Sequence, residues 1–482
     1  MKRSGVLLSV LFILIALLSI APVAAQDEPL KFWTFEYTDA VDPFFTQYVD
    51  EWNSTHDLQV ERQEFPWAQY TGEILSTGIA TGEAPDVFFI SPGDWRRYAE
   101  SGLALPLQDY IPDYLRDDIL PASWDAVTID GNVYSLPFEM EPVVLWYNKE
   151  MLDDAGVAVP TTWDELVAAA ETLTTDDRYG ILIPTNPDYY QNFVFYPFLW
   201  MAGGDVMNED FTGPAVNTPE AARALDLWGT LISEGYAAPN STGNDPTDER
   251  FPTEQAAMFV SGYWVYGWIQ ANYPEFLDKL GVANIPAPDA GDELQTVYGG
   301  WTAMVYAGTE HPEEAAEFAI QMFGAEDNTR AAEWGTVYNT KLSPRASVIA
   351  DNPEFYSQFP HNVFANDIFP TARPEPSFAP EIAQTVWEAL QEVMFNGVSG
   401  ADAAAAALRC GRPATLGGKA QAQPGRPAVG ARHQLLHRGL RACGAIAGEQ
   451  CRHFRRGKTH LVAAELGQVA TDTQLRERQW RL

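Results

Sequence analysis

Leu30-Lys31-Phe32-Trp33-Thr34-Phe35 is an apolar run of strand length, Asp86-Val87-Phe88-Phe89-Ile90-Ser91 is another, and the residues between them decide the fold. Phe44 to Trp52 carries apolar residues at helical spacing. Leu58 to Phe65 alternates apolar and polar, and Tyr70 to Ala80 returns to helical spacing before Gly82. Strand, helix, strand, helix, strand within about sixty residues predicts right-handed βαβ units and a parallel sheet. Ligands of open α/β sheets bind beyond the carboxyl ends of the strands. That rule selects Glu36-Tyr37, Phe65-Pro66-Trp67 and Ser91 to Trp95 as candidate binding loops.

The alternation continues down the chain. Val133 to Leu136, Val143 to Tyr147, Val282 to Ile285 and Trp301 to Tyr306 read as strands. Thr162-Trp163-Asp164-Glu165 opens a helix, with Thr162 as cap and Glu165 closing a capping box. Asn217-Thr218-Pro219-Glu220 opens another, with Pro219 in its first turn. Pro312 to Phe323 and Pro380 to Phe395 are helical, as is the Ala-rich stretch up to Leu408, and no fixed-period repeat runs through the chain. Residues 26–408 are too many for one ordinary core and predict two domains.

The ends of the chain read differently. Lys2 and Arg3, the apolar run Val6 to Ile20, and small residues at Val23 and Ala25 have the layout of a secretory signal peptide over 1–25, cut after Ala25. The alternative is a membrane anchor, but the run falls short of the roughly 18 to 20 apolar residues that a spanning helix needs. No Cys follows the cut, so no lipid-anchor signal is read, and the expected location is periplasmic or extracellular. At the other end, residues 409–482 hold 14 Lys and Arg against 4 Asp and Glu, and all three cysteines, Cys410, Cys443 and Cys451. This tail has no sustained amphipathic pattern. It is read as an out-of-frame translation or a disordered basic tail, and contributes nothing to the fold argument.

Residues 26–408 carry 62 Asp and Glu against 14 Lys and Arg, a surplus that excludes nucleic acid as a partner, since phosphate binding relies on basic residues. With no Cys, an exported body of this size is held by core burial rather than disulfides. Its histidines, His56, His311 and His361, lack metal-ligand spacing. There is no phosphate-binding Gly-rich loop and no nucleophile elbow. No catalytic residue, metal ligand or cofactor is predicted. Close carboxylate pairs such as Glu139 and Glu141 are expected by chance in so acidic a chain, so a glycosidase is disfavoured.

Several motifs then recur in order: Gly82-Glu83-Ala84-Pro85-Asp86-Val87, Tyr134-Ser135-Leu136-Pro137, Val144-Leu145-Trp146-Tyr147-Asn148-Lys149 and Pro160-Thr161-Thr162-Trp163-Asp164-Glu165-Leu166. After them come Pro197 to Asp205, Glu254-Gln255-Ala256-Ala257-Met258, Gly262-Tyr263-Trp264, Gly299-Gly300-Trp301 and Trp334 to Asn339. In these stretches the chain resembles the family 1 extracellular solute-binding proteins, the maltose-binding-like group, from about Leu30 to Leu408. The resemblance implies a two-lobed α/β fold, each lobe a mainly parallel sheet flanked by helices, with a ligand cleft between the lobes. It implies an N-terminal lobe from 26–138 and 299–346 and a C-terminal lobe from 139–298 and 347–408. It also implies a monomer that delivers its ligand to the permease subunits of an ATP-driven importer.

A sugar presents flat C–H patches and a rim of hydroxyls, which aromatic faces and polar side chains match in a cleft that excludes water. By location in the family, the expected ligand-binding residues are Glu36, Tyr37, Trp67, Asp94, Glu139, Tyr189, Trp264, Trp301, Asn339 and Arg345, with Tyr190 and Tyr266 as further aromatic candidates. Trp33, Trp146 and Trp163 read as packing residues instead. A polyamine or other polar solute remains the alternative ligand, and a surface adhesin the alternative role.

Overall fold

Phe32, Val87 and Phe89 fall into one buried cluster and Trp33, Phe35, Phe88 and Ile90 into another, so the first strands are covered on both faces. That is why they read as continuous apolar runs rather than alternating ones. The computed structural model describes residues 28–37, 40–208, 215–241, 247–378 and 380–410. The predicted leader and nearly all of the basic tail lie outside these residues.

The strands, in chain order, are β1 (Leu30–Phe35), β2 (Val60–Phe65), β3 (Val87–Ile90), β4 (Thr128–Ile129), β5 (Asn132–Val133), β6 (Leu136–Pro137), β7 (Glu141–Asn148), β8 (Tyr179–Leu182), β9 (Ala256–Gly262), β10 (Leu280–Ala283), β11 (Thr296–Gly299), β12 (Thr302–Val305) and β13 (Ala372–Pro374). They form a five-stranded sheet ordered β2-β1-β3-β12-β6, a six-stranded sheet ordered β13-β11-β7-β9-β8 with β10 also on β7, and the small β4-β5 hairpin. Each large sheet is the centre of one lobe.

The predicted parallel unit is present: β1 pairs in parallel with β2 and with β3. Both sheets are nevertheless mixed, which corrects the expectation that each is mainly parallel. In the first, β12 runs antiparallel to β3 and to β6. In the second, β9, β10 and β11 all run antiparallel to β7, and only β8–β9 and β11–β13 are parallel. The cause is topological: β12 enters the first sheet on the return from the second lobe, and β7 enters the second sheet from the first, each against the direction of its neighbours.

Helices cover both faces of each sheet. In the first lobe, Asp42–Thr55 and Pro312–Gly324 pack Phe44, Phe45, Phe318 and Phe323 around Phe32 and Phe89. In the second, Trp163–Leu173, Tyr189–Met201, Pro219–Ser233 and Pro380–Phe395 pack on the Val143, Leu145 and Val260 face. The fully buried indoles of Trp146, Trp228 and Trp334 each contribute roughly 1.5–3 kcal/mol or more in removed apolar surface.

Three segments pass between the lobes side by side. Met140 bonds its N–H to the carbonyl of Leu342 at 2.8 Å, and a Cβ on Gly300 would lie 2.2 Å from the carbonyl oxygen of Glu139. Gly300 holds φ +118°, a backbone that side-chain-bearing residues rarely adopt.

Candidate ligand-binding cleft

The carboxyl ends of β1, β2 and β3 open onto the seam between the lobes. Beyond β1, Glu36 is exposed, and beyond β2, Trp67 is half-buried against the aromatic cluster of Trp33, Phe35 and Tyr70. Trp301, just past the Gly300 crossing, lays its ring on Phe35 at 4.4 Å and near Tyr70 at 6.4 Å, and stays half-exposed. These residues give the first lobe an aromatic floor.

The facing wall belongs to the second lobe. Asp188 caps the helix Tyr189–Met201 through the N–H of Gln191 at 2.9 Å, which sets Tyr189 at the helix start. Trp264 begins the helix Trp264–Asn272 and meets Tyr190 edge-on at 5.8 Å and Phe193 at 6.2 Å. Gly262 makes room for that indole, because a Cβ there would lie 1.9 Å from the Trp264 ring.

Polar groups meet across the seam. Asp94 holds Arg97 through two bonds of 2.5 and 2.6 Å, and burial raises the Asp94 carboxyl above its usual range while Arg97 opposes the rise. Tyr189, in the other lobe, feels both of these charges, and burial pushes its hydroxyl up to about 12. Glu375, past the end of β13, packs against Gly93 of the first lobe, where a Cβ would lie 2.2 Å from its Oε1, and Ser377 Oγ donates to the Gly93 carbonyl at 3.0 Å. Asn339 closes the turn Trp334–Tyr338, where its carbonyl faces Gly267 of the opposite lobe, and its Nδ2 is buried without a hydrogen-bond partner.

Glu36, Trp67, Asp94, Tyr189, Trp264, Trp301 and Asn339 therefore border the seam. Four other candidates do not present a free group to it. Glu139 is 3% exposed and its carboxylate is spent on Trp301 N–H at 3.0 Å and Trp334 Nε1 at 2.9 Å. It is a post under the crossing, beside the buried Lys341–Glu141 pair, and burial raises its carboxyl while Lys341 lowers it. Arg345 is 3% exposed, with its guanidinium bound to Asp118 at 2.7 Å and to the carbonyls of Phe323 and Ala325 at 3.2 and 2.8 Å. Tyr37 stacks among Phe35, Phe45 and Trp334, with its hydroxyl buried toward Glu139 and Glu141. Tyr266 turns instead to His361, ring to ring at 5.4 Å.

Arg97, Glu375 and Ser377 were not anticipated from the sequence. Arg97 stands three residues after Asp94 at a helix start, a spacing that permits pairing. Glu375 and Ser377 lie in Arg373-Pro374-Glu375-Pro376-Ser377, which has no period, and only the pairing of β13 with β11 brings them to the seam. Among the described residues no group of three or more acidic, His or Cys side chains is placed to hold a metal ion. Two open depressions, one along Pro43 to Ser54 and one between Asn217 to Asp226 and Ala401, lie on the outer surface.

The profile of the bacterial extracellular solute-binding proteins matches residues 37–329, more than half of the chain. The chain belongs to this family. As a solute-binding protein it is similar to a binding protein of Brucella abortus, 23% identical over 396 residues, which covers 80% of this chain and 91% of that one. It is also similar to the maltodextrin-binding protein of Bacillus subtilis, 26% identical over 381 residues, which covers 76% and 83% of the two chains. Among solved structures, the cyclic α-maltosyl-1,6-maltose binding protein of Arthrobacter globiformis superimposes with a TM-score of 0.65 at 25% identity, over 79% of this chain and 97% of that one. The seam described above is the interlobe cleft of this two-lobed binding fold. Among the described residues of the solute-binding protein, no helix is long and apolar enough to cross a membrane.

Proposed function

We propose that this solute-binding protein captures a sugar or short oligosaccharide between its lobes and presents it, unaltered, to the permease of an ATP-driven importer. The observation that carries the reading is the composition of the two walls. The first lobe contributes the half-exposed rings of Trp67 and Trp301 and the second those of Tyr189 and Trp264, with Asn339 Nδ2 buried and unpartnered. Aromatic faces suit the C–H patches of a pyranose, and an unpaired amide suits its hydroxyls. The carbohydrate names of the relatives point the same way.

The chain is read as exported and monomeric. An amine ligand fits less well. It needs a cluster of free carboxylates, yet Asp94 is neutralised by Arg97, and burial pushes Glu375 up to about 8. A glycosidase needs two opposed carboxyls reaching the ligand. Glu139 and Glu141 are instead bonded to Trp334 and Lys341.

A thermal-shift screen of the full chain tests the proposal, with maltooligosaccharides and arabinooligosaccharides as probes and polyamines and amino acids as controls. A ligand at 100 times its Kd adds about 2.7 kcal/mol to the folded state, enough for a visible rise in Tm. A rise with one sugar class, without hydrolysis of that sugar, supports the reading. A rise with amines alone overturns it.

A further inference from the structure

Trp264 is carried to the cleft by a helix that does not fix its own start. Tyr263 stands at the cap position of Trp264–Asn272, and its side chain makes no capping bond. Ser, Thr, Asp or Asn would fix such a start locally by accepting a main-chain N–H. The first turn carries no acidic residue either. The start is held from outside instead, at three consecutive residues where β9 ends. Ser261 shares a hydrogen bond of 2.9 Å with the hydroxyl of Tyr190, on the helix Tyr189–Met201. The carbonyl of Gly262 accepts the indole N–H of Trp146, on β7, at 3.0 Å. The hydroxyl of Tyr263 bonds to Nδ1 of His361, on the short helix His361–Val363.

The third anchor joins two polar side chains inside an apolar cluster. Tyr263 is fully buried and His361 is 4% exposed. Phe355 stacks on the imidazole at 3.8 Å, and Phe364 meets the Tyr263 ring edge-on at 4.4 Å. Burying either group there is costly unless it is hydrogen-bonded, so each holds the other in place. Burial lowers His361 to about 4 and raises Tyr263 well above its ordinary value. Near neutrality the phenol therefore keeps its proton and donates it, and the neutral imidazole accepts on Nδ1.

We propose that Tyr263 and His361 are positioning residues for the ligand cleft: their bond fixes the main chain at the helix start and so the orientation of the Trp264 indole. Trp264 follows Tyr263 directly, and its ring sits over Gly262, where a Cβ would lie 1.9 Å away. A turn of the main chain at Tyr263 would swing that ring off Gly262 and away from Tyr190 and Phe193. A binding wall that is held before the ligand arrives loses less freedom when the ligand binds. This role rests on the sugar reading for what Trp264 meets, and not for how Trp264 is held.

Fluorine NMR of the full chain labelled with fluorotryptophan tests it, first without solute and then during titration with the sugar found in the screen. The line missing from Trp264→Phe belongs to Trp264. Tyr263→Phe keeps the ring and loses the hydroxyl. Its Trp264 line is expected to shift or broaden while those of Trp52 and Trp124, in the first lobe, stay in place, and its Kd is expected to rise about three- to tenfold. His361→Asn keeps an acceptor near the place of Nδ1 and is expected to preserve the wild-type line and Kd. His361→Leu removes the acceptor and is expected to repeat Tyr263→Phe. A lower Tm in Tyr263→Phe with the wild-type line and Kd is what a merely structural bond gives, and overturns the proposal. So does a His361→Asn protein that behaves like His361→Leu. If Tyr263→Phe does not fold, the two His361 variants decide. The Trp264 line is read without solute, so a chain that binds no sugar fails the sugar reading while the positioning of Trp264 is still decided.

Discussion

Trp264 and Trp301 each depend on a neighbouring glycine. Gly262 leaves space for one indole, and Gly300 takes the turn at φ +118° that delivers the other. Replacing either tryptophan with alanine is expected to raise the Kd for the sugar by about tenfold or more, since a stacking face is worth roughly 1.5–3 kcal/mol. Isothermal titration against the sugar found in the screen checks this, and an unchanged Kd in both variants removes these residues from the site. Arg345 makes the opposite prediction. Arg345→Ala leaves two carbonyls without their donor and removes the counter-charge of Asp118, which keeps its bonds from Ser347, and is expected to cost about 2–3 kcal/mol of stability. Binding by the fraction still folded should be unaltered, and a denaturant melt alongside titration separates the two effects. At this scale the sequence told residue types but not directions. The motifs Gly262-Tyr263-Trp264 and Gly299-Gly300-Trp301 were readable, but not the packing of their rings. That Arg345 and Glu139 turn inward was not, because their partners stand in distant segments: Asp118 and Phe323 for one, Trp301 and Trp334 for the other.

Helix starts were the most legible elements, because a cap is a local device. Thr162 accepts from Glu165 N–H at 3.3 Å and Glu165 reaches back to complete the box. Thr162→Ala is expected to cost about 1 kcal/mol and to lower Tm by roughly 2–4 °C, read in a thermal melt without solute. The helix Tyr189–Met201 escaped notice for a physical reason. Every residue from Gln191 to Met201 is buried, so it shows no contrast between faces, and Pro197 sits inside it. The strand β13, Ala372-Arg373-Pro374, has no strand pattern either and exists because β11 offers it an edge. Strand direction was misjudged beyond β3, since a run of apolar residues says that a strand is buried but not from which end the chain enters the sheet.

For the molecule as a whole, several buried acids set the response to pH. Burial pushes Glu375 up to about 8 and Asp188 to about 6, and raises Glu139 as well. The folded chain therefore holds more protons than the unfolded one near neutrality. Stability from these groups is full below their ordinary range and is lost as pH rises through their folded values. His361 works in the other direction, because burial lowers it to about 4 and its share is lost as pH falls from 6.5 toward that value. Tm is thus expected to peak on the mildly acidic side and to drop by several degrees toward pH 8, and a flat profile from pH 5.5 to 8.5 contradicts the burial of these carboxyls. With a formal net charge of −36, added salt should raise Tm most at the alkaline end, where self-repulsion is greatest.

The order in which the strands are made has a consequence for biogenesis. Ile90 at the end of β3 lies opposite Thr302 at the start of β12, 212 residues later, and the whole β7–β11 excursion is synthesised in between. Until the ribosome has passed Val305, the first lobe is half a sheet with Val87–Ile90 as a bare apolar edge, the kind of edge that recruits other chains. Late closure of this kind slows folding and keeps the nascent chain loose for most of its synthesis. A chain truncated before Thr302 should then aggregate rather than yield an isolated first lobe. The same delay leaves time for an export apparatus to engage the polypeptide before it locks.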